Sequence, residues 1–200
     1  RRQRQMCIRD SYLYGMDELY DRIDTIYVEN DKFSYTTSVD TITSAYLLLK
    51  NRIEYPVFLD KGNKIKIKGD TINLNFLTIS GNIYNEEFTD FQKVLEDPAD
   101  PSEKASEETV DKRITVEKAN TAEEMAEEFI LQHHSSYVSL YLLDKYFVQK
   151  ETPDFSKIKK LVEVMTGVLQ DKPYIERLNE TITQAEKSEI GKYAPFFSLP

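Results

Sequence analysis

The chain has 200 residues, 40% hydrophobic and 30% charged, with 13 Tyr, 10 Phe and no Trp. That is the composition of a folded chain, long enough for one large domain or two small ones. A net charge of −9 argues against a general nucleic-acid binder, whose phosphate contacts need a basic face. No apolar run approaches the ~18–20 residues of a membrane span. A lone cysteine, Cys7, leaves no internal disulfide and no Cys-x-x-Cys dithiol site, and it does not fix the redox compartment.

The first eleven residues, RRQRQMCIRDS, set Arg1, Arg2, Arg4 and Arg9 on an otherwise acidic chain. No apolar stretch follows, so they do not read as a secretion signal. Arg4, Gln5 and Met6 are not the small apolar residues that precede a lipidated cysteine. Residues 1–11 are therefore read as an artefactual leader. The genuine N-terminus, with any export signal, is expected to be missing.

Residues 12–81 read as β-rich, with period-2 runs between turn signals. Ile26 and Val28 alternate around Tyr27, and "VENDKFSYTTSV" is a hairpin candidate in which residues 29–32 make a polar turn and Phe33 and Tyr35 open a return strand. Residues 45–49 are continuously apolar and read as a more buried strand. In "YPVFLDKGNKIKIKGD", residues 57–59 and 64–68 are two strands joined by the turn Asp60-Lys61-Gly62-Asn63. Ile65 and Ile67 share one face of the second strand, and Lys64, Lys66 and Lys68 share the other. The lysines fit the solvent side of a sheet guarded against edge pairing, or else a stripe for a small anion. Ile72, Leu74 and Phe76 alternate in one or two further strands.

Residues 82–187 read as helical. Ile83, Phe88, Phe91, Val94 and Leu95 form an imperfect helix face. Residues 96–113 carry seven acids, three bases and two prolines. They read as a solvated loop, flowing into a charged helix, and not as a calcium loop, whose ligand spacing and central glycine they lack. Ala122, Met125, Ala126, Phe129 and Ile130 then form one apolar stripe, and Thr121 with Glu124 has capping-box spacing at its start. A second helix, about 136–149, is apolar on several sides and reads as central. Thr152-Pro153 opens a third, whose face carries Phe155, Ile158, Leu161, Val162, Met165 and Leu169. A fourth starts near Pro173 and carries Tyr174, Ile175, Leu178, Ile182 and Ala185. His133 and His134 are adjacent, so they diverge by about 100° on a helix and read as a polar junction between helices. Met125 and Met165 lie on packing stripes.

The expected fold class is α+β: an N-terminal antiparallel β-sandwich or partly open barrel, followed by a bundle of three to five helices. No catalytic, cofactor-binding or metal-ligating residue is assigned. Tyr27, Tyr35, Tyr46 and Tyr55 fit sheet packing. They also leave room for a stand-alone extracytoplasmic module whose β-sandwich binds a glycan or peptide on aromatic faces.

The phrase "IGKYAPFFSLP" resembles the opening of redoxin-type (AhpC/TSA-like) thioredoxin-like domains, which runs "vGkpAPdFtLpd". Ile190, Gly191, Lys192, Ala194, Pro195, Phe197, Leu199 and Pro200 match it, while Phe196 stands where a polar residue is usual. The chain before it resembles the N-terminal domain of uncharacterised function that precedes such domains in many exported Bacteroidetes proteins. The likeness lies in "YLYGMDELYDRIDTIYVENDKFSYTTSV" and in "EEFILQHHSSYVSLYLL". In the second segment it runs through Phe129, Ile130, Ser136, Tyr137, Val138, Ser139, Leu142 and Leu143, with His134 where proline is common. The resemblance implies a parent thiol–disulfide oxidoreductase of the periplasm or cell envelope, often a lipoprotein, in which a low-pKa thiolate attacks a partner disulfide. Residues 188–200 would be the linker and the start of a missing C-terminal thioredoxin-like domain. Both reactive cysteines would lie beyond Pro200. The implied partners are that domain, a second copy of the chain, and disulfide-bearing protein substrates. Nucleic acid is not among them, and a membrane is reached only through a missing N-terminal lipid anchor.

Overall fold

The computed structural model describes residues 11–16, 20–30, 32–49, 53–69, 76–96 and 111–188. Residues 1–10 of the basic leader, Cys7 among them, Asp31 of the first turn, the strand residues Ile72 and Leu74, residues 97–110 of the acidic stretch, and the phrase 190–200 lie outside the described residues. The mixed α+β class is as expected, with six strands in two antiparallel sheets and five α-helices among the described residues. The chain divides into two units, Arg1–Ile114 and Thr115–Pro200.

In the first unit, β1 (Ser11–Gly15), β2 (Ile23–Ile26), β3 (Thr43–Leu48) and β4 (Glu54–Leu59) form one sheet in the order β2-β1-β3-β4. The registers Leu13↔Leu47↔Tyr55 and Gly15↔Ala45↔Val57 align the apolar alternation of three strands on one face. Leu13, Ala45, Leu47, Tyr55, Val57 and Leu59 are buried there with Ile26. β5 (Lys66–Gly69) and β6 (Leu77–Ser80) pair as a separate two-stranded sheet, and Leu77 and Ile79 join the same core.

One helix, α1 (Ile83–Glu96), meets both sheets. Asn82 caps it, its Oδ1 accepting from the Asn85 N–H at 3.0 Å. Asn85 then treats β4 as a neighbouring strand would. Its Oδ1 accepts from the Phe58 N–H at 3.0 Å, and its Nδ2 donates to the Phe58 carbonyl at 2.8 Å. One turn later Thr89 does the same for β6, accepting from the Ile79 N–H at 3.0 Å and donating to the Ile79 carbonyl at 2.9 Å. Phe88 packs edge-on to Phe58, with ring centroids 6.5 Å apart. The stripe that looked imperfect in sequence is thus a mixed one: Phe88 and Phe91 are buried with Asn85 and Thr89, while Ile83 and Val94 are exposed. Strands give way to helices at 81/82, yet the unit boundary falls at 114/115, because α1 packs on the strands.

Three local expectations are corrected. Glu29 and Lys32 exchange backbone hydrogen bonds of 2.9 and 3.0 Å with Asn30 left-handed at φ 50°, so the turn forms. No return strand follows it, however. Arg22 instead ties the returning segment by donating to Thr37 Oγ1 at 2.6 Å and to the Ser38 carbonyl at 3.0 Å. The turn at 60–63 also forms, with Gly62 at φ 78°, but β4 and β5 part into different sheets. The Lys64 carbonyl passes 2.2 Å from where a Cβ on Gly81 would sit, a crossing that only glycine permits. Finally, α2 runs Asp111–Gln132 rather than starting at Thr121. Residues 111–132 contain neither Gly nor Pro, so nothing stops the helix from extending past the capping-box pair.

In the second unit α3 (Tyr137–Leu143) is buried at all seven positions, the central helix that its sequence suggested. Ser136 caps it, and one π-helical turn, Asp144–Val148, continues it. There the buried Asp144 carboxylate accepts from the Tyr174 hydroxyl and from Gln149 Nε2, both at 2.6 Å. α4 (Phe155–Val164) starts at the cap Asp154, two residues after Thr152, and buries Ile158, Leu161 and Val162. Met165 and Leu169 are also buried, although they lie beyond its end. α5 (Pro173–Ser188) starts at the expected proline and buries Ile175, Leu178 and Ile182.

Candidate functional site: the tyrosine face of the four-stranded sheet

The face of the β2-β1-β3-β4 sheet opposite the core carries Tyr12, Tyr14, Tyr46, Leu48 and Glu54, while Ser44 and Phe58 of the same face are buried, Phe58 against Phe88 of α1. Register places Tyr14 between Ile23 and Tyr46, and Tyr12 between Thr25 and Leu48. The Tyr14 and Tyr46 rings lie 5.6 Å apart, tilted by 35°. The Tyr14 hydroxyl donates to Glu54 Oε1. Burial, and then this carboxylate, push the Tyr14 hydroxyl well above the usual phenol range. Tyr12 is 41% exposed and Ile23 74% exposed at the β1–β2 side. The result is a shelf of aromatic rings with one fixed carboxylate. It offers stacking surface, apolar contact and a hydrogen-bond acceptor.

A second cluster stands at the end of β2. Arg22 lies over the Tyr20 ring, 5.0 Å from its centroid, and 3.4 Å from Asp24. Asp24 accepts from the hydroxyl of Tyr20, with Tyr35 close enough to act on its titration. The Tyr20 bond, followed by Tyr35, holds its carboxyl below the ordinary value, and burial and then Asp24 push the Tyr35 hydroxyl up to about 12. These groups are engaged with one another and with Thr37, so the cluster fastens the 33–42 segment to the sheet.

The structure scatters the other residues singled out in sequence. Tyr55 is a core residue, Tyr27 is 70% exposed, and Tyr35 belongs to the Arg22 cluster, leaving only Tyr46 on the shelf. Tyr12 and Tyr14, the larger part of the shelf, were missed as a surface. Their signal is the Tyr-x-Tyr spacing of "SYLYG", which puts both rings on one side of a strand. Lys64, Lys66 and Lys68 are exposed, and Ile65 and Ile67 face the core. His133 lies at the α2–α3 junction, its ring stacked on Phe129 at 4.3 Å and its carbonyl accepting from the Ser139 hydroxyl at 2.7 Å. The His134 carbonyl accepts from the Thr166 N–H at 3.0 Å. Among the described residues, no group of three or more His, Cys, Asp or Glu is placed to hold a metal ion, and no helix is long and apolar enough to cross a membrane.

Residues 8–88 match the Domain of unknown function (DUF4369). The DUF4369 segment covers all six strands, both tyrosine clusters and α1 through Phe88. It stops one residue short of Thr89, which closes the edge of β6. No curated protein and no solved structure matches the chain.

Proposed function

We propose that this chain is the non-catalytic N-terminal module of an exported thioredoxin-like thiol–disulfide oxidoreductase. In this reading the DUF4369 segment and the helices after it position a redoxin domain, or mediate its dimer or substrate contacts, in the periplasm or cell envelope. The carrying observation is the phrase 190–200 with its eight redoxin-type positions. The match of residues 8–88 supports the accessory part. The chemistry belongs to the redoxin domain, because Cys7 is the only thiol here and a dithiol exchange needs two. The tyrosine shelf is the surface best suited to hold a partner.

The test is to read the coding sequence past codon 200. A Cys-x-x-Cys about 30–40 residues on, at a strand-to-helix junction, is expected. A stop codon directly after Pro200 would overturn the reading. In parallel, residues 1–188 should not accelerate the reduction of insulin disulfides by dithiothreitol above the uncatalysed rate, and acceleration by this fragment alone would count against the accessory role.

Tyr12, Tyr14 and Tyr46 on one face favour a second reading, an extracytoplasmic glycan- or peptide-binding module. A micromolar signal on a glycan array, lost in Tyr12→Ala, would put that reading first.

A further inference from the structure

The exposed face of the two-stranded sheet has a one-signed composition. Lys66 and Lys68 alternate on β5, about 7 Å apart by strand geometry, and Lys64 stands two residues before the strand. All three are exposed. Their cross-strand neighbours are neutral hydroxyls, Ser80 opposite Lys66 and Thr78 opposite Lys68. A sheet using these lysines for its own stability would place carboxylates there. Four other lysines are paired with acids: Lys93 with Asp90, Lys150 with Glu123, Lys157 with Glu127 and Lys159 with Glu186. Lys64, Lys66 and Lys68 form no ion pair with a described residue, in a protein of net charge −9. The same end of the sheet turns through Gly81, against the Lys64 carbonyl, into Ile83, an isoleucine 63% exposed.

We propose that this face docks on an anionic phospholipid surface, with Lys64, Lys66 and Lys68 over the phosphates and Ile83 at the headgroup boundary. A flat row of separated cations suits a surface of repeated charges. A single small anion calls for converging donors instead.

That difference sets the experiment. The full chain is sedimented with vesicles of phosphatidylglycerol and phosphatidylcholine, or of phosphatidylcholine alone, at low and high salt. Binding to the anionic vesicles only, weakening as salt rises, is expected. The variant Lys64→Glu/Lys66→Glu/Lys68→Glu keeps a charged edge and should lose on the order of 100-fold in partitioning, at about one tenfold step per 1.4 kcal/mol and ~1 kcal/mol per lysine. The corresponding Gln variant, checked for native circular dichroism, gives the same answer should the Glu variant fail to fold. Equal binding to both vesicles, no binding to either, or unchanged binding by both variants would overturn the proposal. So would displacement by inorganic phosphate at constant ionic strength, which would mark a free-phosphate site.

Discussion

The Thr89 hydroxyl does the work of a peptide unit on the neighbouring strand, accepting from one Ile79 backbone group and donating to the other. Thr89→Val keeps the shape and removes both bonds, stranding two buried polar groups at a cost of about 1–3 kcal/mol. Urea unfolding should show a lower midpoint with an unchanged slope, and an unchanged midpoint would mean that these bonds contribute nothing net. The Arg22 cluster gives a pH prediction of the same grain. The folded-state value of Asp24 lies below its ordinary 3.8, so its contribution to stability is full above that value and is lost as pH falls through the folded one. Tyr35 runs the other way: raised from 10.0 to about 12, its contribution is full below pH 10 and is lost as pH climbs toward 12. Asp24→Asn should flatten the acid limb of the stability–pH curve and Tyr35→Phe the alkaline limb, as read from urea midpoints. Limbs of unchanged slope in the variants would assign the titration to other groups.

At the level of elements, Gly81 decides where β5 goes. A methyl group there meets the Lys64 carbonyl, on a backbone held at φ 114°. Gly81→Ala should therefore cost about 1–3 kcal/mol, visible as a lowered Tm, and a wild-type Tm would show that the crossing yields easily. This crossing also shows where the sequence stops being legible. Asp60-Lys61-Gly62-Asn63 announces its own turn, because turn chemistry is local. Which strand the chain then joins depends on a glycine about twenty residues on. β3 (Thr43–Leu48) could be read from the continuous apolar run 45–49, whereas Ser11, the first residue of β1, falls in the stretch read as leader. The start of α5 could be read from Pro173, and that of α4 to within two residues of its Asp154 cap. The failed return strand after Lys32 turned on Arg22, whose reach to Thr37 and Ser38 has no local signature. The tyrosine shelf was half legible. Tyr12 and Tyr14 share a side by period alone, but Tyr46 and Glu54 join them only through the β1–β3–β4 register.

At the scale of the whole molecule, the two units invite separation. Residues 115–188 hold the buried side chains of α3, α4 and α5 together with Ala126 and Ile130. Expressed alone, this segment should give a helical far-UV spectrum and a cooperative urea transition. A broad, non-cooperative loss of signal would mean that its core is completed elsewhere. In the first unit, a single helix seals two sheets. Asn85 and Thr89 sit one turn apart, so the edges of β4 and β6 are covered together and would be bared together. A fluctuation that lifts α1 would thus present two ready templates to any neighbouring chain, the opening step of fibril growth. The same helix that finishes the fold stands guard over the solubility of every molecule around it.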